Sequence, residues 1–381
     1  MKPVKLAKKV LNNLSPPLFP KLYQKYKFYR SGAVDFKEWW SAFKSQNRDL
    51  PSDLICMVDY FVDSPAYSAS SKYWNYLNRI NIQQISAGGY KDFKQTVARN
   101  YFTFVGGGLE TPYIKNLLSK SEGQAHPWPG AAILKKHSHF SLDESVAFNI
   151  ITCLLYDFVK RNDPAGLLEK MDEPMEGNPP AISLDNKNVS QDFLNANLEI
   201  NAILKGVDLA SAKRVIEVGA GSGRTSYNIL KLFPSLKYVV VDIPPALYIS
   251  QTYLCSQFKN QKIFKFRPME DAQDFVRELM DSDLCFITPD QLKLLPEKCA
   301  DVFLAIDCLH EMKREQVDTF FSEADRLANS IYYKCWNETV VPHDNIKYGA
   351  SDYPVRPNWK QKFEAQCQVP ATFFEAFYEI R

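Results

Sequence analysis

The stretch RVIEVGAGSGRTSYNILKLFPSLKYVVVDI, residues 214–243, decides the fold. Arg214 to Val218 is a short apolar run of strand character, and Glu217 is followed at once by glycines on alternate positions, Gly219, Gly221 and Gly223. Such spacing lets the chain turn tightly and brings bare backbone close to a ligand. Residues Arg224 to Phe233 then read as a helix, and Lys237 to Asp242 as a second strand that ends on a carboxylate 23 residues beyond Gly219. Strand, glycine turn, helix, strand and terminal acid in that order describe a nucleoside site, in which the acid accepts hydrogen bonds from ribose hydroxyls. The pattern differs from the dinucleotide fingerprint G-x-G-x-x-G, whose third glycine lies one place further on. Ile243 offers an apolar face to a base, and Pro244-Pro245 opens the next helix, where a missing N–H costs least.

Working outward, Leu284 to Thr288, Val302 to Ile306 and Ile331 to Trp336 repeat the short apolar run, with helical stretches between. That alternation implies crossover helices and a parallel sheet. Lys262 to Phe266 is a weaker strand candidate, and Phe373 to Ile380 is expected as an antiparallel edge strand. Residues 36–160 are instead rich in helix-like runs, at Phe36 to Phe43, Tyr73 to Ile80, Lys91 to Phe104 and Leu142 to Lys160. The last has the clearest start, Ser141 preceding Asp143 and Glu144. Between Arg161 and Ser190 the Pro, Gly and Asp content predicts a linker. The expected order is thus a basic segment over 1–34, a mainly helical substrate or accessory domain over 35–160, a linker over 161–190 and an α/β domain over 191–381.

At 381 residues the chain suits two domains. Its 45% hydrophobic and 24% charged residues are ordinary for a folded protein, which excludes disorder and fibre. No long uncharged apolar run and no secretion signal are seen, so a cytoplasmic location is expected. The eight cysteines are scattered, with no C-x-x-C pair, and read as reduced thiols. His137 and His139 lack further ligands at metal spacing, and no metal is expected. Net charge is +2, yet the first 34 residues carry eight Lys and Arg and no acid, leaving the rest acidic. The basic segment suits either peripheral contact with an anionic membrane surface or a solvated helix. An acidic main domain argues against nucleic acid.

The 214–243 stretch resembles class I S-adenosylmethionine-dependent methyltransferases. The longer run EVGAGSGRTSYNILKLFPSLKYVVVDIPPALYISQTYL is similar to the bacterial sugar O-methyltransferase family. ITPDQLKLLP at 287–296, AIDCLHEM at 305–312 and FFEAFYEI at the C-terminus extend the likeness, with fainter matches at YWNYLN and GGYKDFKQTVARNYF. The resemblance implies a Rossmann-like fold and S-adenosylmethionine as cofactor. It implies that Glu217, Gly219, Gly221 and Gly223 line the methionine part, that Asp242 holds the ribose, that Asp290 and Gln291 meet the adenine edge, and that Arg224 pairs with the cofactor carboxylate. Turn and surface roles compete for Asp290 and Arg224.

Transfer of a methyl group to a hydroxyl calls for a base near the acceptor. His310 is expected to serve, lying just past Val302 to Ile306 at the carboxyl end of the sheet. A helix beginning near Asp307 would put Asp307, His310 and Glu311 on neighbouring parts of one face, so that an acid orients the imidazole. Alternatively Asp307 is an N-cap and His310 a surface residue. The acceptor is expected to meet the helical half and the loop Tyr348 to Trp359, with Tyr353, Arg356, Asn358 and Trp359. The function the resemblance implies is sugar O-methylation in polysaccharide or glycoconjugate biosynthesis. Its rivals are a non-sugar natural-product O-methyltransferase and a non-catalytic cofactor-binding subunit.

Overall fold

The computed structural model describes residues 35–98, 112–121, 128–341 and 343–380. The basic segment 1–34 lies outside them, as does part of the run Lys91 to Phe104. The chain forms two compact units, Gly88–Ala202 with Cys367–Thr372, and Gly32–Ala87 with Ile203–Gln366 and Phe373–Arg381. Among the described residues no helix is long and apolar enough to cross a membrane.

The first unit is built on the helix Leu142–Arg161. Ser141 accepts from the Glu144 N–H while Glu144 returns the bond to the Ser141 N–H, a capping box that fixes the helix start. Its buried Phe148, Ile151, Leu154, Leu155 and Phe158 pack against the helices Pro112–Ser121 and Gly130–Leu134 and a hairpin of β1 (Ile182–Leu184) and β2 (Lys187–Val189). The hairpin turn places Asp185 and Asn186 both at positive φ, as a two-residue turn matching strand twist requires. Residues 161–190 are therefore no free linker. Met171, Ala181, Ile182 and Val189 are buried, and Asp163 accepts from the N–H groups of Leu167 and Leu168 and from Asn201. The turn-forming composition folds the chain tightly upon itself rather than separating domains.

The second unit carries an eight-stranded sheet. Its strands are β3 (Arg214–Val218), β4 (Lys237–Val241), β5 (Ile263–Phe264), β6 (Leu284–Ile287), β7 (Val302–Ile306), β8 (Ser330–Trp336), β11 (Lys360–Gln366) and β12 (Phe373–Glu379), in the order β11-β12-β8-β7-β3-β4-β6-β5. A separate hairpin pairs β9 (Glu338–Val341) with β10 (Ile346–Gly349). All neighbours from β5 to β8 are parallel, and β12 runs antiparallel to both β8 and β11. The architecture is the Rossmann-like one expected, mostly parallel and with helices between strands. The reversed strand sits one place in from the edge, because Lys360–Gln366, an exposed and largely polar run, adds itself outside it. Order reverses at β3, whose neighbours are β4 on one side and β7 on the other, and such a point opens a crevice at the strands' carboxyl ends.

Residues 36–86 belong with this sheet rather than with a helical domain of their own. Helices Phe36–Gln46, Ser52–Val62, Pro65–Ala69 and Lys72–Ser86 bury Phe36, Trp40, Leu54, Met57 and Phe61. Ser52–Val62 packs on the helix Ala246–Gln257, and the Tyr60 ring meets Phe266 edge-on at 5.4 Å. Helix periodicity shows which face is buried but not which neighbour buries it.

The loop after β10 was expected to meet acceptor, but its rings Tyr353 and Trp359 are core instead. Trp359 stacks on Phe321 at 5.8 Å and Tyr353 on Tyr348 at 5.7 Å. The Trp359 indole donates to Asp325 and Arg356 to Ser322, so these groups are satisfied within the layer. Of the cysteines, which are all free, Cys56 is exposed and the rest are buried or half-buried.

Candidate active site

The three glycines of the turn all adopt left-handed φ, +69° at Gly219, +59° at Gly221 and +82° at Gly223, the last opening the helix Arg224–Leu232. A Cβ on Gly219 would lie 2.4 Å from the Cβ of Cys308, whose thiol reaches the Val218 carbonyl at 3.3 Å. The first turn is thus wedged against the segment that follows β7. Gly219→Ala would force both an unfavourable φ, worth about 1–2 kcal/mol, and a displaced Cys308. We expect it to weaken cofactor binding by roughly tenfold or more, as isothermal calorimetry with S-adenosylhomocysteine would read.

Asp242 closes the turn from the tip of β4. One carboxylate oxygen accepts from the Gly221 N–H at 2.7 Å and the other from the Ile243 N–H at 2.7 Å. Burial nevertheless pushes its carboxyl up to about 7, against the pull of those two N–H groups and helped by the charge of Glu217. Each carboxylate oxygen can accept more than one hydrogen bond, so the group retains capacity for hydroxyl donors. Glu217 itself is turned inward, where the hydroxyls of Ser226 and Tyr238 donate to its Oε2, the latter at 2.8 Å.

Beyond β7 no helix begins at Asp307. Asp307 adopts a left-handed φ of +56°, which Asp tolerates better than most residues, and its N–H donates to the Lys334 carbonyl. Leu309–Glu311 is a single 3-10 turn, and the helix starts only at Arg314. The Asp307 carboxylate lies 3.5 Å from Lys334 Nζ and 3.9 Å from Arg224 Nη2, a largely buried set of alternating charges. Lys334, a lysine within an otherwise apolar strand, was not singled out by sequence reading. Its one visible signal is a charge inside the run IYYKCW.

His310 is buried, with its Nδ1 lacking a partner and its ring edge-on to Trp336 at 6.3 Å and Phe373 at 6.1 Å. Burial first, and the Lys334 charge second, drive its imidazole down to about 3, so it is neutral at physiological pH. Glu311 is pushed up to about 8 by burial and by Asp307, while a hydrogen bond from Trp74 of the helix Lys72–Ser86 opposes the shift. Glu311 in turn raises the Tyr73 phenol, already raised by burial. Trp74 and Tyr73 were missed as site residues, because their run read only as a helix.

Asp290 and Gln291 are placed otherwise than at an open edge. Gln291 spends both ends of its amide within the fold, accepting from the Thr288 N–H and donating to the Arg267 carbonyl. Asp290 Oδ1 accepts from the Ala66 N–H at 3.0 Å, and its Oδ2 is buried without a partner. The turn-residue reading accounts for half of Asp290. Ile243 is half-buried beside Asp242.

Residues 185–289 match the model of an O-methyltransferase domain. No curated protein matches the chain. Among solved structures it is similar to the PH0226 protein of Pyrococcus horikoshii OT3, at 14% identity over 50% of this chain and 92% of that one, with a TM-score of 0.37. It is also similar to a SAM dependent methyltransferase from Aquifex aeolicus, at 14% identity over 59% and 98% of the two chains and a TM-score of 0.34. An O-methyltransferase family 2 protein from Planctomyces limnophilus DSM 3776, in complex with apigenin, gives 16% identity, 49% and 56% coverage and a TM-score of 0.34. The match over residues 185–289, on this fold, supports a class I S-adenosylmethionine-dependent methyltransferase. More particularly the chain is an O-methyltransferase, and S-adenosylmethionine is its cofactor.

Proposed function

We propose that the chain methylates a hydroxyl of a sugar, in the making of a polysaccharide or glycoconjugate, with His310 as the base. The residues present suit the cofactor. Asp242 offers acceptors to ribose hydroxyls, Ile243 an apolar face to adenine, and the glycine turn leaves backbone open to the methionine part. Arg224 and Asp307 hold opposite charges within 3.9 Å, a pair complementary to an amino-acid zwitterion. Bound S-adenosylmethionine supplies a methyl group on a positively charged sulfur.

The observation that carries the reading is His310, neutral and with Nδ1 unsatisfied, at the carboxyl end of β7 beside Glu311. A hydroxyl that gains a methyl group becomes a protonated ether, a far stronger acid than even this imidazolium. His310 can therefore take the proton downhill as the new O–C bond forms, although it is a weak base at rest. Glu311, four residues beyond Asp307, is raised by burial and by the charge of that acid, so near neutral pH it stands beside His310 in the chain largely as a neutral hydrogen-bonding group. The sugar assignment is supported by the resemblance of the long run 217–254 and by the hydrogen-bonding groups, Trp74 and Glu311, beside the base.

Incubation of the full chain with methyl-labelled cofactor and separate pools of methyl glycosides and flat phenols tests it. Label is expected in a glycoside, as a base-stable ether. Label confined to phenols would overturn the sugar reading.

A further inference from the structure

The helix Lys72–Ser86 carries an unexplained polar group one turn from the residue that bonds Glu311. Ser71 caps it by accepting from the Trp74 N–H, and Asp344 accepts from the Lys72 N–H at 2.8 Å, so its first turn is held in place. Trp74, in that turn, hydrogen-bonds Glu311. Asn78 lies one turn further along the same face, since residues four apart on a helix stand one above the other. Asn78 is completely buried, and neither its amide oxygen nor its amide nitrogen has a partner. Asn81, equally buried on that face, is engaged.

A buried carboxamide with both ends unmet costs stability, about 1–3 kcal/mol for each unsatisfied group. An Asn presents a donor and an acceptor side by side. The complement is a ligand with an acceptor and a donor at matching spacing, such as two adjacent hydroxyls. Trp74 is half-buried. Aromatic faces bind the apolar C–H surface of a sugar while leaving its hydroxyls to polar groups.

We propose that Trp74 and Asn78 form the acceptor-recognition face of the enzyme, Trp74 as the platform for the ring and Asn78 as the partner of a vicinal pair of hydroxyls. The assignment rests on the sugar reading and narrows it to acceptors with a free diol. Asn78 is thereby a specificity-determining residue, and the chemistry stays with His310.

The test uses the full chain with the methyl glycosides of glucose, mannose, galactose and rhamnose, each alongside deoxy analogues that lack one hydroxyl of the diol. Wild type is expected to methylate at least one glycoside and to lose tenfold or more in kcat/KM on the matching deoxy analogue. Asn78→Leu, which removes both unmet groups while keeping the branched shape of the side chain, should raise Tm and leave the affinity for S-adenosylhomocysteine unchanged. It should raise the glycoside KM at least tenfold and erase the penalty for the deoxy analogue. Asn78→Ala should show the same loss of discrimination should leucine not fit, and Trp74→Phe, which keeps a ring, should spare KM more than Trp74→Ala does. If wild type labels no glycoside, the sugar reading falls and this assignment with it. If wild type labels a glycoside while both Asn78 variants keep its KM and its discrimination, only the assignment falls.

Discussion

Replacing His310 by alanine is expected to leave cofactor binding intact and to lower turnover by about a hundredfold or more, the scale of a lost general base. The same geometry sets an unusual pH profile. Burial and the Lys334 charge hold the imidazole near 3, so the base is already unprotonated throughout the range in which an ordinary histidine titrates. Turnover at saturating cofactor should therefore show no acid limb near 6.5, and its decline should begin below about pH 5. Single-turnover rates from pH 4.5 to 8.5 would measure this. A limb centred at 6.5 in wild type, or unchanged turnover in His310→Ala, would remove His310 from the reaction.

Asp242→Ala should weaken the binding of S-adenosylhomocysteine by on the order of a hundredfold, from the loss of charged hydrogen bonds to two hydroxyls. Its effect on stability has a sign that pH reveals. In the fold the carboxyl titrates at about 7, whereas unfolded it returns to 3.8. Between those values the folded chain keeps a proton that the unfolded chain has released. Without cofactor, this group's contribution to stability falls as pH rises from about 4 to 7, and levels off above. Cofactor calls on the ionised form, so affinity should climb through the same window. Calorimetric titration and thermal unfolding at pH 5, 6, 7 and 8 would check both trends, and Asp242→Ala should abolish the pH dependence of affinity in that window. An affinity independent of pH in wild type would show that the carboxylate is not the ribose partner.

Much of the second unit was legible because its signals are local. Alternate glycines after a strand require positive φ whatever surrounds them, and all three have it. An apolar five-residue run such as Val302–Ile306, too short for a helix and set between helical stretches, suits a parallel strand covered on both faces. What escaped reading depended on distant partners. Lys360–Gln366 is too polar to announce itself as a strand, and it becomes one only because β12 offers an open edge. Asp307 was read as the start of a helix from the acids and His at three and four places, but its N–H goes to Lys334 and the chain leaves β7 by a left-handed step. Tyr353 and Trp359 have a composition suited equally to binding and to packing, and stacking on Phe321 and Tyr348 decided between them. For Gln291 the deciding fact was the nearby Arg267 carbonyl, invisible without coordinates.

Trp74 and Glu311 meet although more than two hundred residues separate them in sequence. Ordering so long a loop must precede the reward of the contact, which slows its formation. During folding the nucleotide-binding strands can therefore close before the acceptor side is in place, and a trimmed fragment starting at residue 191 would retain the glycine turn yet have no roof over its base. Efforts to shorten the enzyme have to keep its early helices, however clearly the family signature sits elsewhere.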